Sequence, residues 1–245
     1  MKSKMVFLGI GLMLIGFTQV HAATNYCNHA LFPIQPQAEW TYSGDWLDSE
    51  NDGYTLSVQS VVNRSEKSTA IVNISSHALG DTAYPFLLEC NASNGIKIVE
   101  FNNILIPLPN GTIVKLTLNE QSGAILPPMD LLQVGFSWPF ILDFNGSYTS
   151  EKGRSVAIRV MIEVNSRLSE LMESIEVPAG TFENVYVIQQ DVSMQLTIAR
   201  MKKPIRMLNA TRTWYLAWGV GPVSASFLDA VSELISYSLP NVAIE

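Results

Sequence analysis

The chain has 245 residues, a formal net charge of −7, and 47% hydrophobic against 15% charged residues. The acidic balance argues against a nucleic-acid partner, which would need a basic footprint. The apolar content argues against a disordered chain.

Lys2 and Lys4 precede an apolar run over residues 5–17, and Thr18-Gln19-Val20-His21-Ala22 follows. A charged start, about a dozen apolar residues and small or aliphatic residues at the cleavage site read as a secretory signal peptide, cut near Ala22. The run is too short for a spanning helix, which needs about 20 residues. No later segment is long and apolar enough to be a transmembrane helix. Residues 1–22 are thus a signal peptide, and the rest is expected to be extracytoplasmic, periplasmic or secreted. Without Lys2 and Lys4, 13 basic residues face 22 acidic ones, a net −9.

Cys27 follows Thr24-Asn25-Tyr26, which lacks the small and aliphatic residues of a lipobox. Its partner is expected to be Cys90, because an oxidising compartment lets the two pair. Their bridge would close a loop worth about 4 kcal/mol in the chain-entropy model. His29, two residues beyond Cys27, reads as a surface residue.

Asp45, Asp48, Glu50 and Asp52 cluster before Gly53, but an EF-hand would need Glu where Gln59 stands. A solvated hairpin tip is expected there, and no metal site. Period-two alternation then sets in at Ala70, Val72 and Ile74, and residues 112–118 form a further candidate strand. His77 and Asp81 would share one turn with Ser75, which is not how a hydrolytic triad is assembled.

Pro127-Pro128 marks a boundary. Trp40 and Trp138 each follow a Gln-containing turn and open a β-rich run, which suggests two repeated halves, 23–129 and 130–245, although one continuous domain fits as well. Residues 155–164 alternate strictly, with Val156, Ile158, Val160, Ile162 and Val164 on one face, the mark of a strand with one wet side. Residues 166–174 carry Leu168, Leu171 and Met172 at helical spacing and read as a short helix or an irregular connection. Pro178-Ala179-Gly180-Thr181-Phe182 reads as a reversal, because Pro178 cannot donate to a ladder and Gly180 tolerates a positive φ. A phosphate-cradling loop would need more glycines and a following helix.

Alternation returns at Val192, Met194, Leu196 and Ile198. Arg200, Lys202, Lys203, Arg206 and Arg212 then crowd around Pro204, as on a solubilising hairpin tip. Trp214, Leu216 and Trp218 fall on one side of a predicted strand and, with Trp40 and Trp138, are candidates to line a pocket for an apolar ligand. The fold class expected is all-β: antiparallel strands in two curved half-sheets or an open barrel or sandwich, with few short helices.

Several stretches together resemble an uncharacterised family of secreted bacterial β-rich proteins. They are Cys27 with LFPIQPQAEWTY, LECNASNGI over 88–96, VPAGTF over 177–182, TWYLAWGVGPV over 213–223 and ELISYSLP. The chain departs from that pattern at Gln37 and Ala38, where a turn glycine is expected, and at Pro222, where an aliphatic residue or Met is usual. The resemblance implies a β-rich envelope or secreted domain and brings no catalytic residues.

The sequence has no H-E-x-x-H, C-x-x-C or G-x-S-x-G pattern. The function expected is a non-catalytic extracytoplasmic protein that binds an apolar ligand, such as a lipid, or an envelope partner, without a cofactor. The alternative is a secreted hydrolase using two of the many carboxylates.

Overall fold

The computed structural model describes residues 24–44, 53–76, 83–107, 113–149, 153–199, 203–227 and 230–240. The expected signal peptide, the acidic cluster at 45–52, His77, Asp81, Arg200 and Lys202 lie outside the described residues. Two short strands, β1 (Asn28–His29) and β2 (Phe32–Pro33), pair with each other. Then come β3 (Glu39–Ser43), β4 (Tyr54–Asn63), β5 (Ser68–Ser76), β6 (Tyr84–Asn91), β7 (Gly95–Pro107) and β8 (Ile113–Gly123). After a 3-10 turn at Met129–Leu131 follow β9 (Ser137–Thr149), β10 (Ser155–Val177), β11 (Gly180–Ile198), β12 (Ile205–Ala217), β13 (Gly221–Phe227) and β14 (Ala230–Ser238).

From β3 to β14 every strand pairs antiparallel with its neighbours in sequence, and β14 returns to β3, so twelve strands close into a barrel. Alternation drives this. In β5, Ser68, Ala70, Val72, Ile74 and Ser76 are buried and the residues between them are half-exposed. In β10, Ile158, Val160 and Val164 are buried while Ser155, Ala157, Arg159, Asn165 and Arg167 face water. Apolar inside and polar outside is the reverse of a membrane-spanning barrel. Among the described residues no helix is long and apolar enough to cross a membrane.

Residues 166–174, expected as a helix or an irregular connection, belong to β10. A bulge between Leu168 and Glu170 resets the alternation, so apolar residues either side of it fall at helical spacing. A helical stripe would bury all three. Here Leu168 is buried but Leu171 is 56% exposed. The reversal at 178–179 is as tight as expected: Val177 pairs with Gly180, and the Ala179 N–H donates to the Leu234 carbonyl.

One end of the barrel is sealed from within. Eight strands already make a ring that side chains alone can fill, so twelve leave a gap. Residues 24–38 fill it, burying Cys27, Leu31 and Ile34 completely. Cys27 is bonded to Cys90 at the end of β6, and the Gly219 N–H donates to the Ala30 carbonyl. His29 is not on the surface. It lies buried in this plug because its ring is the bridge: Nδ1 accepts from the Leu31 N–H at 3.1 Å, and Nε2 sits 3.0 Å from the Pro127 carbonyl. Accepting at Nδ1 leaves Nε2–H to donate, which is the neutral ring. Burial holds its pKa below the ordinary value, against the opposing pull of the Pro127 carbonyl.

The two runs that open on tryptophan are built alike. Before Trp40, Gln37 adopts φ 70°; before Trp138, Gly135 adopts φ 92°. Gln37 N–H donates to the Val58 carbonyl and Val58 N–H to the Ala38 carbonyl; Gly135 and Leu168, then Leu168 and Phe136, repeat the two bonds. A bulge follows in each case, between Val58 and Ser60 and between Leu168 and Glu170. The turn glycine missing at Gln37 is thus missing where the backbone is left-handed, at a cost of roughly 1–2 kcal/mol for a residue with a Cβ.

Two outcomes follow for the plug. Cys90→Ser should lower the stability of the exported protein by up to about 4 kcal/mol in denaturant titration. Reductant should reproduce the loss in the wild type and do nothing to a Cys27→Ser/Cys90→Ser variant. Uptake of label by both thiols without prior reduction would remove the premise. Second, a base whose folded pKa is depressed loses native stability as pH falls through its unfolded value. Melting temperature should therefore drop on acidification below about pH 6.5, and His29→Gln should flatten that drop.

Candidate functional site

The inner face of the second half carries a row that its alternation does not lead one to expect. Ser166 on β10 pairs with Gln190 on β11, which pairs with Arg212 on β12, so three polar side chains stand abreast on three adjacent strands. Ser166 and Gln190 are 1% and 0% exposed; Arg212 keeps an accessible edge. Gln190 Nε2 donates to Ser166 Oγ at 2.9 Å. Its Oε1 accepts from Arg212 Nε at 2.8 Å and from Nη2 at 2.6 Å. The guanidinium carbon lies 4.3 Å from the centre of the Trp214 ring, a cation–π contact.

The row divides the interior. On the plug side lies a core containing Leu168, Ile188 and Leu216, with Trp214 packed against it. On the other side lies a second core of β8–β11 residues, among them Val164, Val192, Phe144 and Leu196. Each strand that crosses the row passes from one core to the other: Val164, Ser166, Leu168 on β10 and Val192, Gln190, Ile188 on β11.

The second core is covered less completely. Leu118, Ile162, Met194, Ile198 and Leu208 pack against it while half-exposed. They lie toward the barrel end opposite the plug, where β11 turns into β12.

Among the described residues no carboxylate lies within ion-pair distance of Arg212. Burial pulls its pKa below the ordinary guanidinium value, down to about 10, against the pull of the Tyr54 hydroxyl in the other direction. It is still a cation at neutral pH. Tyr54 stacks on Tyr42 at 4.7 Å, and Ser232 Oγ donates to the Tyr54 hydroxyl at 3.4 Å.

The aromatic candidates are distributed unequally. Trp40 and Leu216 are fully buried and Trp138 is 6% exposed, all three in the plug-side core. Trp40 Nε1 donates to the Val220 carbonyl at 2.7 Å and Trp138 Nε1 to the Ile125 carbonyl at 3.3 Å. Trp214 is half-buried under Arg212. Trp218 is not in the strand with them, because β12 ends at Ala217; it opens the next turn, 46% exposed, against Tyr186.

Arg212, expected on a basic hairpin tip, faces inward. The tip ends where β12 begins, and Arg212 shares the inward parity of Trp214. That parity was the signal available in the sequence; charge clustering with Lys203 and Arg206 masked it. Gln190 and Ser166 gave no signal of their own.

No family model and no curated protein matches the sequence. Two solved structures are similar in fold. One is a protein named as exported with a YmcC-like fold, from Bacteroides fragilis, at 14% identity and a TM-score of 0.53 over 85% of this chain and 98% of that one. The other is named as a lipoprotein, from Parabacteroides distasonis, at 15% identity and a TM-score of 0.49 over 86% of this chain and 99% of that one. The first likeness gives this barrel a YmcC-like fold.

Removing one member of the polar row strands the others. Gln190→Leu should cost about 2–3 kcal/mol, since it leaves a cation and a buried hydroxyl without their acceptor and donor. Adding Arg212→Met to it should return more than half of that loss. Denaturant titration of the three variants measures the coupling, and strict additivity would show that the row is not a unit.

Proposed function

We propose that the protein is an extracytoplasmic, non-catalytic barrel that holds an apolar ligand inside the end opposite its plug. The observation that carries this reading is the half-exposed apolar lining formed by Leu118, Ile162, Met194, Ile198 and Leu208. An inner wall of that kind is costly in water, at roughly 25 cal/mol per Å² left wet, and a bound apolar molecule relieves it. Trp214, under Arg212 and packed against the plug-side core, would back the polar row on which this lining ends. Trp40, Trp138 and Leu216 would support it from below.

The compartment follows from the Cys27–Cys90 disulfide together with the signal-like start of the sequence. The exported neighbour agrees with it. Binding requires no catalytic group.

Native mass spectrometry of the protein purified from its own host, without detergent exchange, tests the reading. The expected result is a reproducible adduct that organic extraction removes and identifies as apolar. Protein that is empty in every preparation, with no envelope partner after crosslinking, overturns it.

A further inference from the structure

We infer that the interior site takes an anionic amphiphile, with Arg212 as the anchor for its acidic group and the apolar lining as the seat of its chain. This rests on the apolar-ligand reading above and adds the charge. A guanidinium has five N–H donors. Gln190 Oε1 accepts two of them, from Nε and Nη2. The cation is neutralised by no described carboxylate, and Trp214 and Gln190 hold it in one orientation. Such a group, partly desolvated and fixed, is complementary to a carboxylate or phosphate, which a guanidinium fork binds through two parallel bonds.

The matching turns before Trp40 and Trp138 argue that the fold does not need this polarity. Val58 and Leu168 make equivalent hydrogen bonds with the turns before Trp40 and Trp138. Two residues earlier on each strand stand Leu56 and Ser166. Across the sheet from Leu56 come Ile74 and then Tyr84; across from Ser166 come Gln190 and then Arg212. The first half thus builds the same three positions from two aliphatic residues and a tyrosine. A charge placed only in the second half, at the boundary between the two cores, has no counterpart in the architecture and needs a partner of its own.

The position also fits the ligand's other end. The lining residues Met194 and Leu208 follow Val192 and Ala210 outward along the strands from Gln190 and Arg212. A head on Arg212 would send an aliphatic chain along that wall toward the barrel end opposite the plug.

The test uses the delipidated full-length mature protein with cis-parinaric acid and its methyl ester as fluorescent probes. The acid should bind the wild type about tenfold or more tightly than the ester, the range of a charge-assisted pair. Arg212→Gln should close that gap, and Arg212→Lys should fall between. The acid–ester comparison on the wild type stands even where Arg212→Gln does not fold. Equal binding of acid and ester overturns the anchor and leaves the apolar reading in place. Binding of neither removes the apolar reading itself. Inorganic phosphate distinguishes a headgroup from a free anion: failure to displace the acid at millimolar phosphate supports the amphiphile, and full displacement overturns it in favour of a small anion.

Discussion

The structure depends on how a twelve-stranded ring is filled. An up-and-down meander closed by β14 on β3 leaves no sheet edge, which removes the usual route to edge-to-edge aggregation. It also makes a circumference too wide for the inward side chains to meet everywhere. The protein solves the two ends differently. At one end the segment carrying Cys27, His29, Leu31 and Ile34 enters the ring and is tied there by the disulfide and by His29's bridge between Leu31 and Pro127. At the other, the inner wall keeps half-exposed apolar side chains.

The plug explains features that look unrelated along the chain. Cys90 ends a strand at the sealed end. Trp40 reaches across to the Val220 carbonyl and Tyr42 to the Pro222 carbonyl, joining the first strand of the ring to the β12–β13 connection and the start of β13. The exposed tryptophan, Trp218, belongs to that same connection. The aromatic residues thus mainly organise the sealed end, and only Trp214 stands between this core and the rest of the interior.

A buried polar row between two apolar cores is expensive unless all its members are satisfied. Ser166 and Gln190 satisfy each other, and Gln190 satisfies part of Arg212; the remaining donors are what give the row chemical meaning. The two halves share their turn geometry and bulge positions yet differ at these three positions. That separates what the scaffold requires from what the second half adds.

The sequence by itself determined the strands, because alternation in 70–74, 155–164 and 192–198 admits only one buried face, and it determined the disulfide, because two cysteines in an oxidising compartment have one pairing. It also carried the tight turn at Pro178. Only the tertiary structure decided that the ring closes, since the pairing of β14 with β3 leaves no local mark. Tertiary structure alone likewise decided that residues 166–174 are strand, because a bulge between Leu168 and Glu170 imitates helical spacing. It turned His29 from surface to plug, since a burial 98 residues away in Pro127 is invisible to a local reading. Arg212 is the clearest case. Its neighbours in sequence are cations on a hairpin tip, whereas its neighbours in space are Gln190, Trp214 and Tyr54, and only strand registry across three segments brings those together.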